Sequence, residues 1–129
     1  MSDGVSWEVE HIPDDADVFM RAHRVFFRNR VLQPGVFRPH DGSMSVDWDK
    51  YSSPEDTRQR AANPKDNAVI SLPVGEIRNI GNLEVEHTPD HTPESMNRAH
   101  SDVVGLPEGE DLTEVRTLLL AASNLVIGL

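Results

Sequence analysis

Turns and prolines divide this chain into short segments, and that punctuation limits most of it to short strands and brief helices. Nine prolines are present, and turn chemistry occurs at Pro13-Asp14-Asp15, Gln33-Pro34-Gly35, Asp41-Gly42 and Gly81-Asn82. Proline pre-sets φ, while glycine, asparagine and aspartate tolerate the conformations of a reversal. Between the turns, apolar and polar residues alternate. In Val18 to Phe27, alternation puts Phe19, Arg21 and His23 on one face of a strand and Val18, Met20 and Ala22 on the other. Recurrence of Phe19, His23 and Phe27 at every fourth position also permits a helix. Met44, Val46 and Trp48 alternate with Ser45 and Asp47, Ala68 to Val74 is largely apolar, and Leu83, Val85 and His87 alternate with Glu84 and Glu86. His100 to Val104 supplies a last strand, and Trp7 with Val9 is expected to anchor a short one near the N-terminus.

Helix starts are chemically explicit. At Ser53-Pro54-Glu55 the serine can accept from a free amide, proline suits the first helical position, and the acids that follow favour the positive end of the helix dipole. This helix should end near Asn63-Pro64, because proline disfavours helix in the residue before it. Thr92-Pro93-Glu94 repeats the signal for a short helix. Near the C-terminus, Asp111 and Glu114 have capping-box spacing, and Leu112, Val115, Leu119, Ala122 and Val126 form one apolar stripe. Four to six short strands with two or three helices, not in strict alternation, predict an α+β fold. The expected architecture is a small mixed or mainly antiparallel sheet with the C-terminal amphipathic helix packed on it. A length of 129 residues suits one domain. We read residues 1–17 as an acidic lead-in and 18–129 as a single α+β domain.

Composition removes several kinds of chemistry. There is no cysteine, so disulfides, thiolate metal sites and a cysteine nucleophile are excluded. No signal-peptide pattern opens the chain, and no apolar run approaches the ~18 residues of a membrane span. A cytoplasmic location without membrane contact is the expectation. Serines are numerous, but the Gly-x-Ser-x-Gly elbow, the phosphate-binding Gly-x-x-x-x-Gly-Lys-Ser loop and the dinucleotide Gly-x-Gly-x-x-Gly pattern do not occur.

Charge is segregated. The net charge is −10, yet Val18 to His40 holds Arg21, Arg24, Arg28, Arg30 and Arg38 with His23 and His40 and contains no acid. Arginine's planar fork matches phosphate or carboxylate. Arg21 and His23 on one strand, with Arg38 and His40 on the neighbouring segment, can line a pocket completed by the hydroxyls of Ser43 and Ser45. There Arg21, Arg38, Ser43 and Ser45 would bind an anionic, nucleotide-like ligand, and His23 or His40 would move protons. The same arginines can equally be absorbed in ion pairs with the chain's 22 acids. Phe19, Phe26, Phe27 and Phe37 interleave with the cations as in single-strand binders, but net negative charge disfavours nonspecific nucleic-acid binding. A second cluster, His87, Asp90, His91, Glu94, His100 and Asp102, has metal-ligating side chains, which makes His87, His91 and His100 candidate metal ligands. Its two prolines keep His87 and His91 off a common helical face.

The ordered segments FMRAH (19–23), FRPH (37–40), MSVDW (44–48), ISLPVGEIR (70–78) and NRAHSDVVG (97–105) resemble a group of small uncharacterised bacterial proteins. That group has an aromatic-x-Arg-x-His segment, a Phe-Arg stretch, a Leu-Ser-Val-Asp-like run and a late Ala-His. Met44 stands where leucine is commoner there. The resemblance implies no cofactor or reaction, but it draws notice to Arg21, His23, Arg38, Ser45 and His100. An arginine or histidine on a first strand followed by a serine on a later one also resembles ADP-ribosyltransferase architecture. That analogy implies NAD held by polar side chains and a late glutamate, for which Glu84, Glu86 and Glu94 are available. The leading functional expectation is an accessory protein whose partner is another protein. The alternative is a small enzyme or binding domain for a nucleotide-like anion.

Overall fold

A computed structural model gives the structure of residues 7–129. One sheet runs in the order β6 (Glu84–His87), β7 (His100–Val104), β4 (Met44–Trp48), β1 (Asp17–His23), β5 (Asn67–Pro73) and β8 (Asn124–Ile127). A separate hairpin pairs β2 (Phe27–Arg28) with β3 (Val31–Leu32), and every pairing in both sheets is antiparallel. Three α-helices complete the α+β fold: α1 (Pro54–Gln59), α2 (Val74–Arg78) and α3 (Gly109–Ala122). No helix among the described residues is long and apolar enough to cross a membrane.

Period-two alternation becomes the two faces of the sheet. Val18, Met20 and Ala22 of β1, Met44, Val46 and Trp48 of β4, and Ala68, Ile70 and Leu72 of β5 belong to the core. Val74 and Ile77 of α2 and Val115 and Leu119 of α3 pack into the same cluster, with Leu112 and Ala122 at its margin. Phe37 is wholly buried there. On the opposite face stand the alternate residues: Phe19, Arg21 and His23 on β1, Ser45 and Asp47 on β4, and Asn67, Val69 and Ser71 on β5. α1 lies against β1 and β5. The Ser53 hydroxyl of its capping box accepts from the Asp56 amide at 3.0 Å, while the Asp56 carboxylate accepts from the Ser53 amide at 3.1 Å.

Several expectations need correction. Among the described residues no strand forms at Trp7 to Val9, and Val9 is 72% exposed. Ile12 and Ala16, inside the stretch read as a lead-in, join the core instead. Arg78 Nη1 secures them by donating to the Ile12 carbonyl at 2.7 Å. The Val18–Phe27 strand stops at His23, whose Nδ1 accepts from the Val25 amide at 3.1 Å and starts a 3-10 turn over Arg24–Phe26. Val74 opens α2 rather than extending the strand before it. Thr92-Pro93-Glu94 makes a single turn, ended by Met96 at φ 45, and the strand-like Asp90–Asn97 bridge encloses it. Asp111 does not cap α3, whose N-cap Glu108 makes no side-chain hydrogen bond. The stripe also ends early. Ser123 is extended, and Val126 lies in β8, where the tail satisfies the open backbone groups of β5.

Gly105 ends β7 at φ +86, and a Cβ there would meet the Asn82 carbonyl oxygen at 2.6 Å. Only glycine allows this approach of the β7 end to the turn before β6.

Candidate functional site

The face of the sheet away from the core is hollowed into two adjoining lobes that share Met20, Arg21, Val36 and Ser45 in their walls. The larger, about 570 Å³, adds Phe19, His23, Phe26, Asp47, Arg60, Asn67, Asn97 and His100 to its lining, together with Asp90 and Glu94. The smaller, about 370 Å³, adds Arg38, His40, Ser43 and Met44. Among the described residues the smaller lobe has no carboxylate in its lining.

Strand register brings these residues together. Phe19 is paired with Asp47 across β1 and β4, and continuing that register sets Arg21 level with Ser45. On the other side of β4, Ser45 is paired with Asp102 and Asp47 with His100. Arg38 and His40 arrive on the loop before β4, where Asp41 and Gly42 adopt positive φ. This turn closes His40 against Ser43, whose amide donates to the His40 carbonyl at 3.1 Å.

The floor is a buried polar network. Asp47 is 5% exposed. It accepts from Thr57 Oγ1, Arg60 Nη1 and Asn97 Nδ2, each at 2.8 Å. Arg60 also donates to the Ser52 hydroxyl at 2.9 Å. With its bonds made, Asp47 joins β4 to α1 and to the segment before β7. Beside it, Arg21 Nη1 donates to the Thr57 carbonyl at 3.1 Å. The Arg38 guanidinium lies 5.9 Å from the Phe26 ring centroid. Among the described residues neither Arg21 nor Arg38 is ion-paired, whereas Arg24, Arg58, Arg60, Arg78 and Arg98 all meet carboxylates.

In the lining of the larger lobe the Asp90 carboxyl is held below the usual range, mainly because the Thr92 amide and hydroxyl donate to it. Close by, His100 Nε2 lies 3.2 Å from Ser45 Oγ, and its Nδ1 lies 2.9 Å from the Thr88 carbonyl oxygen and 3.0 Å from Thr88 Oγ1.

The expected pocket residues therefore fall in two groups. Arg21, Arg38, His40, Ser43 and Ser45 line the smaller lobe, and His23 lines the larger one with Arg21 and Ser45. Arg28 and Arg30 stand apart, exposed on the β2–β3 hairpin.

The proposed metal ligands are not brought together. His87 is buried at 2% exposure, with Nδ1 accepting from the Glu10 amide and Nε2 bonded to the Arg98 carbonyl. His91 is exposed, stacked on Trp7 and accepting from its amide. Only His100 reaches the cleft, and no metal-binding group of three histidine, aspartate or glutamate side chains forms among the described residues. Of the three glutamates weighed by analogy, Glu94 lines the cleft, while Glu84 bonds Arg78 and Glu86 lies exposed on β6.

Asp47, Thr57, Arg60 and Asn97 escaped the reading of the sequence. A polar residue opposite the core face of MSVDW was the one local signal for Asp47. Comparison with protein-family models, curated proteins and solved structures returns no match.

Proposed function

We propose that the protein binds a nucleotide-like anionic ligand in this cleft. The phosphate end would lie in the smaller lobe between Arg21 and Arg38, near Ser43 and Ser45. The base or sugar would occupy the larger lobe against Phe19 and Phe26. One observation carries the reading: a lobe walled by two arginines that have no carboxylate partner among the described residues, in a chain of net charge −10. A guanidinium that meets no carboxylate among the described residues is left available for an external one or for phosphate. The larger lobe, about 570 Å³, falls in the size range of small-molecule sites and exceeds the needs of phosphate alone. An accessory role toward another protein gives this cationic lobe no particular use, so ligand binding takes precedence. A cytoplasmic setting belongs to the proposal.

Titration calorimetry with ADP, inorganic pyrophosphate and adenosine tests it. ADP and pyrophosphate should bind and adenosine should not. Arg21→Ala and Arg38→Ala should each weaken ADP binding by about 10- to 100-fold, the scale of a lost charge-assisted hydrogen bond. Absence of ADP and pyrophosphate binding at millimolar concentration, or wild-type affinity in both variants, would overturn the reading.

A further inference from the structure

We propose that Ser45 and His100 are a nucleophile–base pair that cleaves a phosphoryl ester bond of the ligand in this cleft, an inference that rests on the anionic-ligand reading above. The hydrogen-bond geometry fixes the roles. A carbonyl oxygen can only accept, so the 2.9 Å contact with the Thr88 carbonyl requires His100 Nδ1 to carry a proton. In the neutral ring Nε2 is then the acceptor, and it faces Ser45 Oγ at 3.2 Å. That is within the reach at which a base removes a proton, and a base oriented by a third group is the arrangement that activates a serine.

Behind the ring, Thr88 Oγ1 donates to Asp102 Oδ2 at 2.8 Å, which holds the Thr88 side chain against Nδ1. Both members of the pair sit on paired strands, β4 and β7, rather than on loops, so their separation is set by the sheet. Ser45 is exposed and lines both lobes. Its hydroxyl is therefore open to a ligand where the cationic lobe begins. By contrast, the Ser43 hydroxyl donates to a backbone carbonyl, and Ser71 and Ser101 are buried.

Arg21 and Arg38 select phosphorus over an acyl carbon as the centre attacked, because their forks match phosphoryl oxygens and the charge these carry in the transition state. The steps balance without a further reactant except water. Ser45 Oγ bonds to phosphorus while its proton passes to His100 Nε2. The phosphorus–oxygen bond to the leaving alcohol breaks, and that alcohol takes the proton from His100. Water then attacks the phosphoserine, with His100 accepting its proton and returning it to Ser45 Oγ as the serine–phosphorus bond breaks. Phosphate, or a phosphomonoester from a diester, is released.

A fluorophosphonate probe followed by peptide mass spectrometry tests the pair. The wild-type protein should form one adduct, at Ser45, with loss of fluoride. His100→Gln, shown folded by its circular-dichroism melt, should label about 10²-fold more slowly or worse, and pyrophosphate in the neighbouring lobe should protect Ser45. Mapping the wild-type adduct depends on no variant's folding. A wild-type protein that binds ADP but gives no Ser45 adduct overturns the pair and leaves the binding reading intact, as does H100Q labelling at the wild-type rate. Labelling at Ser45 that pyrophosphate does not slow overturns the phosphoryl assignment. Labelling at Ser45 without any ADP or pyrophosphate binding overturns the binding reading and not the nucleophile.

Discussion

Asp47 is the residue on which the cleft is built. Three donors converge on it from α1, from the residue after α1 and from the segment before β7. Truncation would take their shared acceptor from the buried Thr57 and Asn97, while the exposed Arg60 keeps the Ser52 hydroxyl and solvent. Unsatisfied buried donors cost roughly 1–3 kcal/mol each. We expect Asp47→Ala to lose about 3–4 kcal/mol, read as a lower urea midpoint at unchanged slope. Asp47→Asn should recover part of this, because its carbonyl oxygen can still accept from Thr57 and Arg60 while its amide nitrogen meets the Asn97 amide as donor to donor. The cleft was partly legible at this scale. Alternation put Arg21 and His23 on one face of a strand and Ser45 on the polar face of another, and the shared pocket was the expectation that joined them. Asp47's partners were not legible, because Asn97 lies 50 residues away along the chain and nothing local marks it. The Ser45–His100 contact, which spans 55 residues, is hidden in the same way.

At the scale of elements, local chemistry predicts starts better than ends. The Ser53 cap of α1 was explicit, and its consequence extends beyond the helix. α1 carries the Thr57 carbonyl that orients Arg21, and Arg60 follows directly after it. Loss of the Ser53 side chain, as in Ser53→Ala, should lower stability by about 1 kcal/mol. ADP affinity should weaken less than in Arg21→Ala, because α1 frays without losing a ligand contact. Calorimetry and urea melts on one preparation would check both. The C-terminal stripe was misread for a physical reason. Val126 follows Ala122 at helical spacing, but the unpaired edge of β5 offers the tail a ladder that the helix cannot match. A sheet edge is a tertiary fact, invisible in a local window. Gly105 belongs to this scale too. Gly105→Ala should cost at least ~2 kcal/mol from backbone strain and the approach to Asn82, seen as a lower melting temperature.

Across the whole molecule, Arg78 fastens the N-terminal segment to the sheet. It donates to the carbonyls of Ile12 and Val85 at 2.7 and 3.1 Å and also meets Asp14 and Glu84. The Glu84 carboxyl is held below the ordinary range, first by the hydrogen bond from Arg78 and then by the Val85 amide. A depressed carboxyl contributes stability above its unfolded value, near ~4.3 for glutamate, and loses it as pH falls through the folded value. Asp49, pushed up chiefly by burial, acts in the opposite direction and softens the loss. Arg78→Gln should cost about 2 kcal/mol at pH 7 through the two carbonyl bonds. The variant's further loss between pH 5 and pH 3, measured by urea melts, should be smaller than the wild type's.

The two ends of the sheet differ in a way that bounds how copies of this chain could aggregate. On β6 the rim carries two exposed glutamates, Glu84 held by Arg78 and Glu86 unpaired among the described residues, and a like strand laid beside it would meet the Glu86 charge. β8 has no ionisable side chain, and its Leu125 and Val126 are exposed. Strand addition to this sheet is therefore favoured at β8. Two copies joined through β8 would turn their glutamate-bearing β6 rims outward, which disfavours further growth along this sheet.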